Sequence, residues 1–182
     1  MSNKESKIKS LIQDYLLDEG LLRKKIPDPK LEFGFQFTFP PGKDPMGRPI
    51  GKTMLAYKPK GKNLIVVSVG TQISQPHVNA LNSLEESKKM NFFMDLRKYF
   101  LTKDVLYRMD LQNYRYEIID QFFLPKSENI AKNTFFKIIR KVFNSMAYSN
   151  IILGEYCAGK VKLEDISKSK DFSPSSDFTL YS

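Results

Sequence analysis

The stretch from Ser127 to Tyr156, SENIAKNTFFKIIRKVFNSMAYSNIILGEY, constrains the fold more than any other. Apolar residues recur at Phe135, Ile139, Val142, Met146, Leu153 and Tyr156, and Phe136, Ile138, Phe143 and Ala147 widen the stripe. That spacing is the period of a helix, not of a strand. Lys137, Arg140, Lys141, Asn144 and Ser145 fill the other side. Pro125 closes the preceding segment, Ser127 or Asn133 offers a cap for the first free amides, and Gly159 stands where a helix stops most easily. A stripe this wide and aromatic needs a broad apolar surface opposite it.

Five strand-like segments can supply that surface. In Leu31 to Phe39 the residues Leu31, Phe33, Phe35, Phe37 and Phe39 alternate with Glu32, Gly34, Gln36 and Thr38, so one face is buried and the other polar. Pro40 to Lys52 is a long loop rich in proline and glycine. Thr53–Lys58 is a second strand, the segment Pro59–Lys62 a turn, and Asn63–Thr71 a third strand. The run Ile65, Val66, Val67 and Val69 places that third strand at the centre of the sheet. Val105–Asp110 and Tyr116–Phe123 form a hairpin through Leu111–Arg115. An amphipathic helix over Lys4–Glu19 precedes the strands, with Ile8, Leu11, Ile12, Tyr15 and Leu16 on one face and Gly20 as its stop. Leu21–Lys30, with Pro27 and Pro29, is extended or turning. Helical periodicity continues from Pro76 to Leu101, capped by Ser74, and leaves open whether Lys88-Lys89-Met90 divides one helix into two. The expected core is Phe33, Phe35, Phe37, Val67, Phe136, Val142 and Phe143.

The chain has 182 residues, 41% hydrophobic and 27% charged, which suits one folded domain over residues 1–160. From Val161 the sequence turns polar and serine-rich, and residues 161–182 read as a flexible tail. A single cysteine, Cys157, gives no internal disulfide framework and suits a reducing, cytoplasmic setting. No signal peptide is evident, and no stretch approaches the ~20 apolar residues of a membrane span.

The element order is helix, three strands, helix, two strands, helix, an α+β arrangement with helices segregated from an antiparallel sheet. In that order, and in the strand ending DQFFLP followed by NTFFKIIRKVFNSM, residues 5–157 resemble the type III secretion chaperone-like superfamily, and within it an uncharacterised archaeal branch with no assigned activity. The resemblance implies a small α+β domain, often a homodimer, that binds another protein rather than turning over a substrate. The chain departs from the secretion chaperones in its long Pro/Gly loop, its basic rather than acidic balance and its tail.

The net charge of +9 is uneven: residues 31–62 carry six basic and two acidic side chains. The six are Lys43, Arg48, Lys52, Lys58, Lys60 and Lys62, the candidate contacts for an acidic partner or for nucleic acid. A solvated lysine-rich face is the simpler account of them.

Other motifs lead away from chemistry. Met46-Gly47-Arg48-Pro49-Ile50-Gly51-Lys52-Thr53 approximates a phosphate-binding loop, but its first glycine is one residue late and a strand, not a helix, follows. Glu32 to Phe37 has the aromatic rhythm of an RNA-binding strand, yet Leu31 and Glu32 stand where that motif has a basic residue and a glycine; the rings read as core. Tyr107, Arg108, Tyr114, Arg115 and Tyr116 could stack bases, but Asp110, Glu117 and Asp120 lie among them and favour cross-strand ion pairing. His77 is the sole histidine, so no His–His metal spacing exists within the chain. Cys157, with no histidine near it in sequence and away from a helix N-terminus, reads as a buried thiol. Glu85, Glu86 and Asp95 read as a solvated helix face.

The expectation is therefore a non-enzymatic protein-interaction or chaperone-like domain with no cofactor, catalytic residue or metal site. It acts as a cytoplasmic homodimer with an unknown protein partner and no membrane. The alternative is a nucleic-acid-binding protein that uses the basic loop at residues 43–62.

Overall fold

The computed structural model describes residues 7–126 and 129–158. The cap at Ser127, the helix stop at Gly159 and the tail from residue 161 lie outside the described residues. Ten elements follow in order: α1 (Lys7–Asp18), β1 (Leu22–Lys25), β2 (Leu31–Phe39), β3 (Lys52–Pro59), β4 (Leu64–Gln72), α2 (Gln75–Asn82), α3 (Glu86–Thr102), β5 (Leu106–Asp110), β6 (Arg115–Phe123) and α4 (Lys132–Tyr156). The strands form one six-stranded sheet in the order β1-β2-β3-β4-β6-β5, with every neighbouring pair antiparallel. The β-branched strand β4 is central, as its composition predicts. It pairs with β6 along its full length, from Leu64 opposite Phe123 to Gln72 opposite Arg115.

Alternation decides which face meets the helices. Phe33, Phe35 and Phe37 of β2 stand beside Lys58, Ala56 and Met54 of β3. With Ile65, Val67 and Val69 of β4 and Tyr116 and Ile118 of β6, their apolar side chains join the main core. α4 supplies the opposite wall through Phe135, Ile139, Val142 and Met146, all 0–2% exposed. Phe136 and Phe143 pack at the margin of the core, half-buried, and Phe143 meets Phe39 edge-on at 5.3 Å. The other face of the sheet carries a smaller apolar cluster of Leu31, Leu55, Tyr57, Leu64, Val66 and Ile119, with Ile26 against it. Leu31 joins that cluster because a bulge between Leu31 and Phe33 reverses the alternation.

Three details differ from the sequence expectation. β1 is a sixth strand, only four residues long, paired with β2 across a register shift. The break between α2 and α3 falls at Ser83–Glu85, not at Lys88-Lys89-Met90, which lies inside α3. At the start of α4 the cap position is taken by Ala131, and Asn133 lies within the first turn. The chain enters that helix through buried Ile130, whose carbonyl accepts a hydrogen bond from the Tyr15 hydroxyl at 2.9 Å. Gly20 ends α1 with φ +66, a conformation that disfavours any side chain. Ser74 precedes α2 as predicted, but its hydroxyl meets His77 Nδ1 at 2.7 Å instead of a helix amide.

Phe35 is fully buried in the centre of β2. Phe35→Ala is expected to cost ~3–5 kcal/mol through lost burial and the cavity left behind. Thermal unfolding checks this: a melting temperature equal to the parent's would show that β2 does not face the core.

Candidate interaction surfaces

The six cations of residues 43–62 fall at two ends of one strand. Lys43 and Arg48 lie in the loop before β3 and Lys52 opens the strand; Lys60 and Lys62 lie in the turn after it. At ~3.3 Å per residue, an eight-residue strand separates the two groups by about 25 Å. Between them Lys58 is buried and forms an ion pair with Glu32. The loop is ordered around Asp44, whose carboxylate accepts the amides of Met46 and Arg48 at 2.9 Å and the Arg48 Nε at 2.8 Å. The Arg48 amide, and then its guanidinium, hold the Asp44 carboxyl below its ordinary range. Lys43, Lys60 and Lys62 make no ion pair among the described residues, so Lys43 carries the unpaired charge at one end and Lys60 and Lys62 at the other.

The Lys43 end adjoins a cleft that sequence reasoning missed. It has a volume of about 500 Å³ and is lined by Glu19, Leu21, Phe39, Pro41, Lys132, Asn133, Phe136 and Arg140. These residues come from the α1–β1 junction, the end of β2 and the first turns of α4. Lys132 is held in place by Glu19 at 2.8 Å and Asp18 at 3.2 Å.

A third surface is the side of α3 turned away from α4. Met90, Met94 and Leu101 are 45%, 42% and 68% exposed and share one azimuth of α3, at spacings of four and seven. On α4, Tyr148 and Ile151 are also exposed, but α4 meets α3 on the side opposite this stripe. Tyr148 stacks on Tyr99 with ring centroids 4.3 Å apart.

The remaining singled-out residues have structural roles. Tyr116 is buried; Arg115 pairs with Asp110 across the β5–β6 hairpin at 2.9 Å. The fold brings Cys157 to His77, but the thiol donates to the His77 carbonyl oxygen at 3.8 Å, and burial lowers the pKa of the imidazole. Asp95 accepts the Tyr156 hydroxyl at 2.6 Å, apart from exposed Glu85 and Glu86. Among the described residues no three His, Cys, Asp or Glu side chains gather as a metal set, and no helix is long and apolar enough to cross a membrane.

One buried group carried no sequence signal. Glu117 of β6 is fully buried on the sheet face away from the helices, and its carboxylate oxygens have no hydrogen-bond partner among the described residues. Burial pushes its carboxyl up to about 7, against the smaller opposing pulls of Ser68 beside it and of Arg108 on β5.

With this architecture the protein has the α+β fold of the type III secretion chaperone-like class. A chain in the crystal structure of the ExsC–ExsE complex superposes with TM-score 0.50 at 9% identity, over 83% of this chain and 97% of that one. The chain belongs to the family described as uncharacterized conserved protein DUF2299, which it matches over residues 8–153. The crystal structure of an uncharacterized protein from Methanothermobacter thermautotrophicus is more similar, with TM-score 0.70 and 21% identity over 81% of this chain and 97% of that one. No curated protein matches the chain.

A folded-state carboxyl at about 7 against an ordinary 4.5 binds its proton more tightly than the unfolded chain does. The resulting stability is present below pH ~4.5 and is lost as pH rises through about 7, a total of about 3 kcal/mol. Glu117→Gln removes that loss. Urea unfolding at pH 5 and pH 8 is expected to show the variant gaining on the parent by ~2–3 kcal/mol at the higher pH. An equal parent–variant difference at both pH values would contradict the buried, unpartnered state of Glu117.

Proposed function

We propose that this chain is a non-catalytic interaction domain that pairs with a second copy of itself and holds a protein partner. The observation that supports this most directly is the exposed apolar stripe of Met90, Met94 and Leu101 on α3. An apolar stripe left exposed along one helix face marks an interaction site, because leaving it in water costs free energy that association recovers. The likeness to a chain crystallised in the ExsC–ExsE complex adds that this fold can carry a partner. A lone thiol, buried at Cys157, suits a cytoplasmic setting, where it stays reduced.

Sedimentation velocity at micromolar concentration tests the pairing. The parent is expected to run at twice the chain mass, and the double variant Met94→Glu, Leu101→Glu as a monomer with unchanged circular dichroism. Both positions are exposed on α3, so the variant keeps its core. A monomeric parent, or a variant that still pairs, would remove the stripe as the self-association surface.

A further inference from the structure

We infer that the cleft between the start of α4 and the end of β2 binds an extended segment of a partner protein that presents a large apolar side chain flanked by carboxylates. The inference rests on the interaction role proposed above and names the chemistry of the partner. The floor of the cleft is apolar: Leu21 is fully buried, and Phe39 and Phe136 are half-buried. A volume of about 500 Å³ falls within the range of sites that enclose a ligand-sized group.

The rim selects charge. Lys132 is already neutralised by Asp18 and Glu19 and acts as part of the wall. Arg140 is exposed and has no ion pair among the described residues. Lys137 lies one turn before it, also exposed and unpaired. Phe39 stands opposite Lys52 in the β2–β3 register, so the loop that carries Lys43 leaves and returns beside the cleft. Of the unpaired cations Arg140 lines the cleft, Lys137 lies three positions before it on α4, and Lys43 lies two positions beyond the lining residue Pro41. Arg140 can take a carboxylate through two parallel hydrogen bonds. Asn133, exposed on the same rim, offers both a donor and an acceptor to a peptide backbone. A polyphosphate strand fits less well, because the floor of the cleft is apolar and gives a chain of charges nothing to bury.

The test uses the full chain and a synthetic nine-residue peptide with phenylalanine at its centre, two glutamates on each side and glycine elsewhere. Titration up to millimolar concentration, followed by nuclear magnetic resonance, is expected to shift the amides of Phe39, Asn133, Phe136 and Arg140 and to leave those of the α3 stripe unmoved. Arg140→Glu, a surface change that leaves the core intact, is expected to weaken binding at least tenfold. Replacing the peptide's phenylalanine by alanine, or its glutamates by lysines, is expected to abolish it. An absence of shifts, shifts centred elsewhere, or equal binding of the lysine peptide would overturn the inference. So would tighter binding of a twelve-residue oligothymidylate with a steep salt dependence, which would identify nucleic acid as the occupant. The self-association proposed above is assigned to the α3 stripe and not to this cleft. A dimeric parent that ignores the acidic peptide would overturn the cleft alone and leave the interaction role standing.

Discussion

The contact between α4 and the two central strands, β4 and β6, organises everything else. β4 brings β-branched side chains that prefer the extended backbone and fill a pleated surface without gaps. α4 brings Phe135, Ile139, Val142 and Met146 at helical spacing, and these meet Ile65, Val67 and Val69 with Tyr116 and Ile118 of β6 in one core. A helix of 25 residues is about 37 Å long, longer than the ~30 Å of a nine-residue strand. α4 therefore has length to spare. Its N-terminal half reaches Phe39 at the end of β2, and its C-terminal end reaches α2, where Cys157 meets the His77 carbonyl. The same helix that seals the core also frames the cleft.

Much of the fold was legible because its elements repeat a period for long enough to be read. Nine residues of alternation in β2 name the strand and, from Phe33 onward, its core-facing side, and 25 residues of α4 do the same for a helix. β1 was not legible. Its four residues, LRKK, carry three cations and offer no alternation, and the pairing with β2 that makes them a strand is a tertiary contact. The break between α2 and α3 escaped for the opposite reason: Leu81, Leu84 and the later apolar residues keep a helical rhythm across Ser83–Glu85. The chain turns there through local backbone bonds, with the Ser83 amide donating to the Asn79 and Ala80 carbonyls and the Leu84 amide to Leu81.

The surfaces were less legible than the core, because proximity in sequence is a poor guide to proximity across a strand. Lys52 and Lys60 are eight positions apart, which in a loop could be one cluster and in β3 is the length of the sheet. The register of β2 and β3 disperses those charges. The fold brings Phe39 and Pro41, at the start of the Lys43 loop, to one cleft with Arg140, about a hundred positions later in the chain. The cleft joins residues 19–41 to residues 132–140, and no local pattern links those stretches. Periodicity reports which face of an element is buried; only topology reports which exposed faces meet.

β6 shows how much a side chain's face matters to its chemistry. Tyr116 and Glu117 are adjacent, both buried, and point to opposite faces of the sheet. On the helix side, Ser149 donates to the Met146 carbonyl at 2.7 Å, which leaves the Tyr116 hydroxyl as donor to Ser149 Oγ, also at 2.7 Å. Burial pushes that phenol up to about 12, further into the range where it is neutral anyway, so the group is satisfied and silent at any ordinary pH. One residue on, burial drives the carboxyl in the same direction, but from 4.5 to about 7. An equal physical cause therefore leaves one face of the sheet indifferent to pH and the other poised at neutrality. The difference lies in where each group starts, and in the absence, beside Glu117, of a donor placed as well as the acceptor that Ser149 presents to Tyr116.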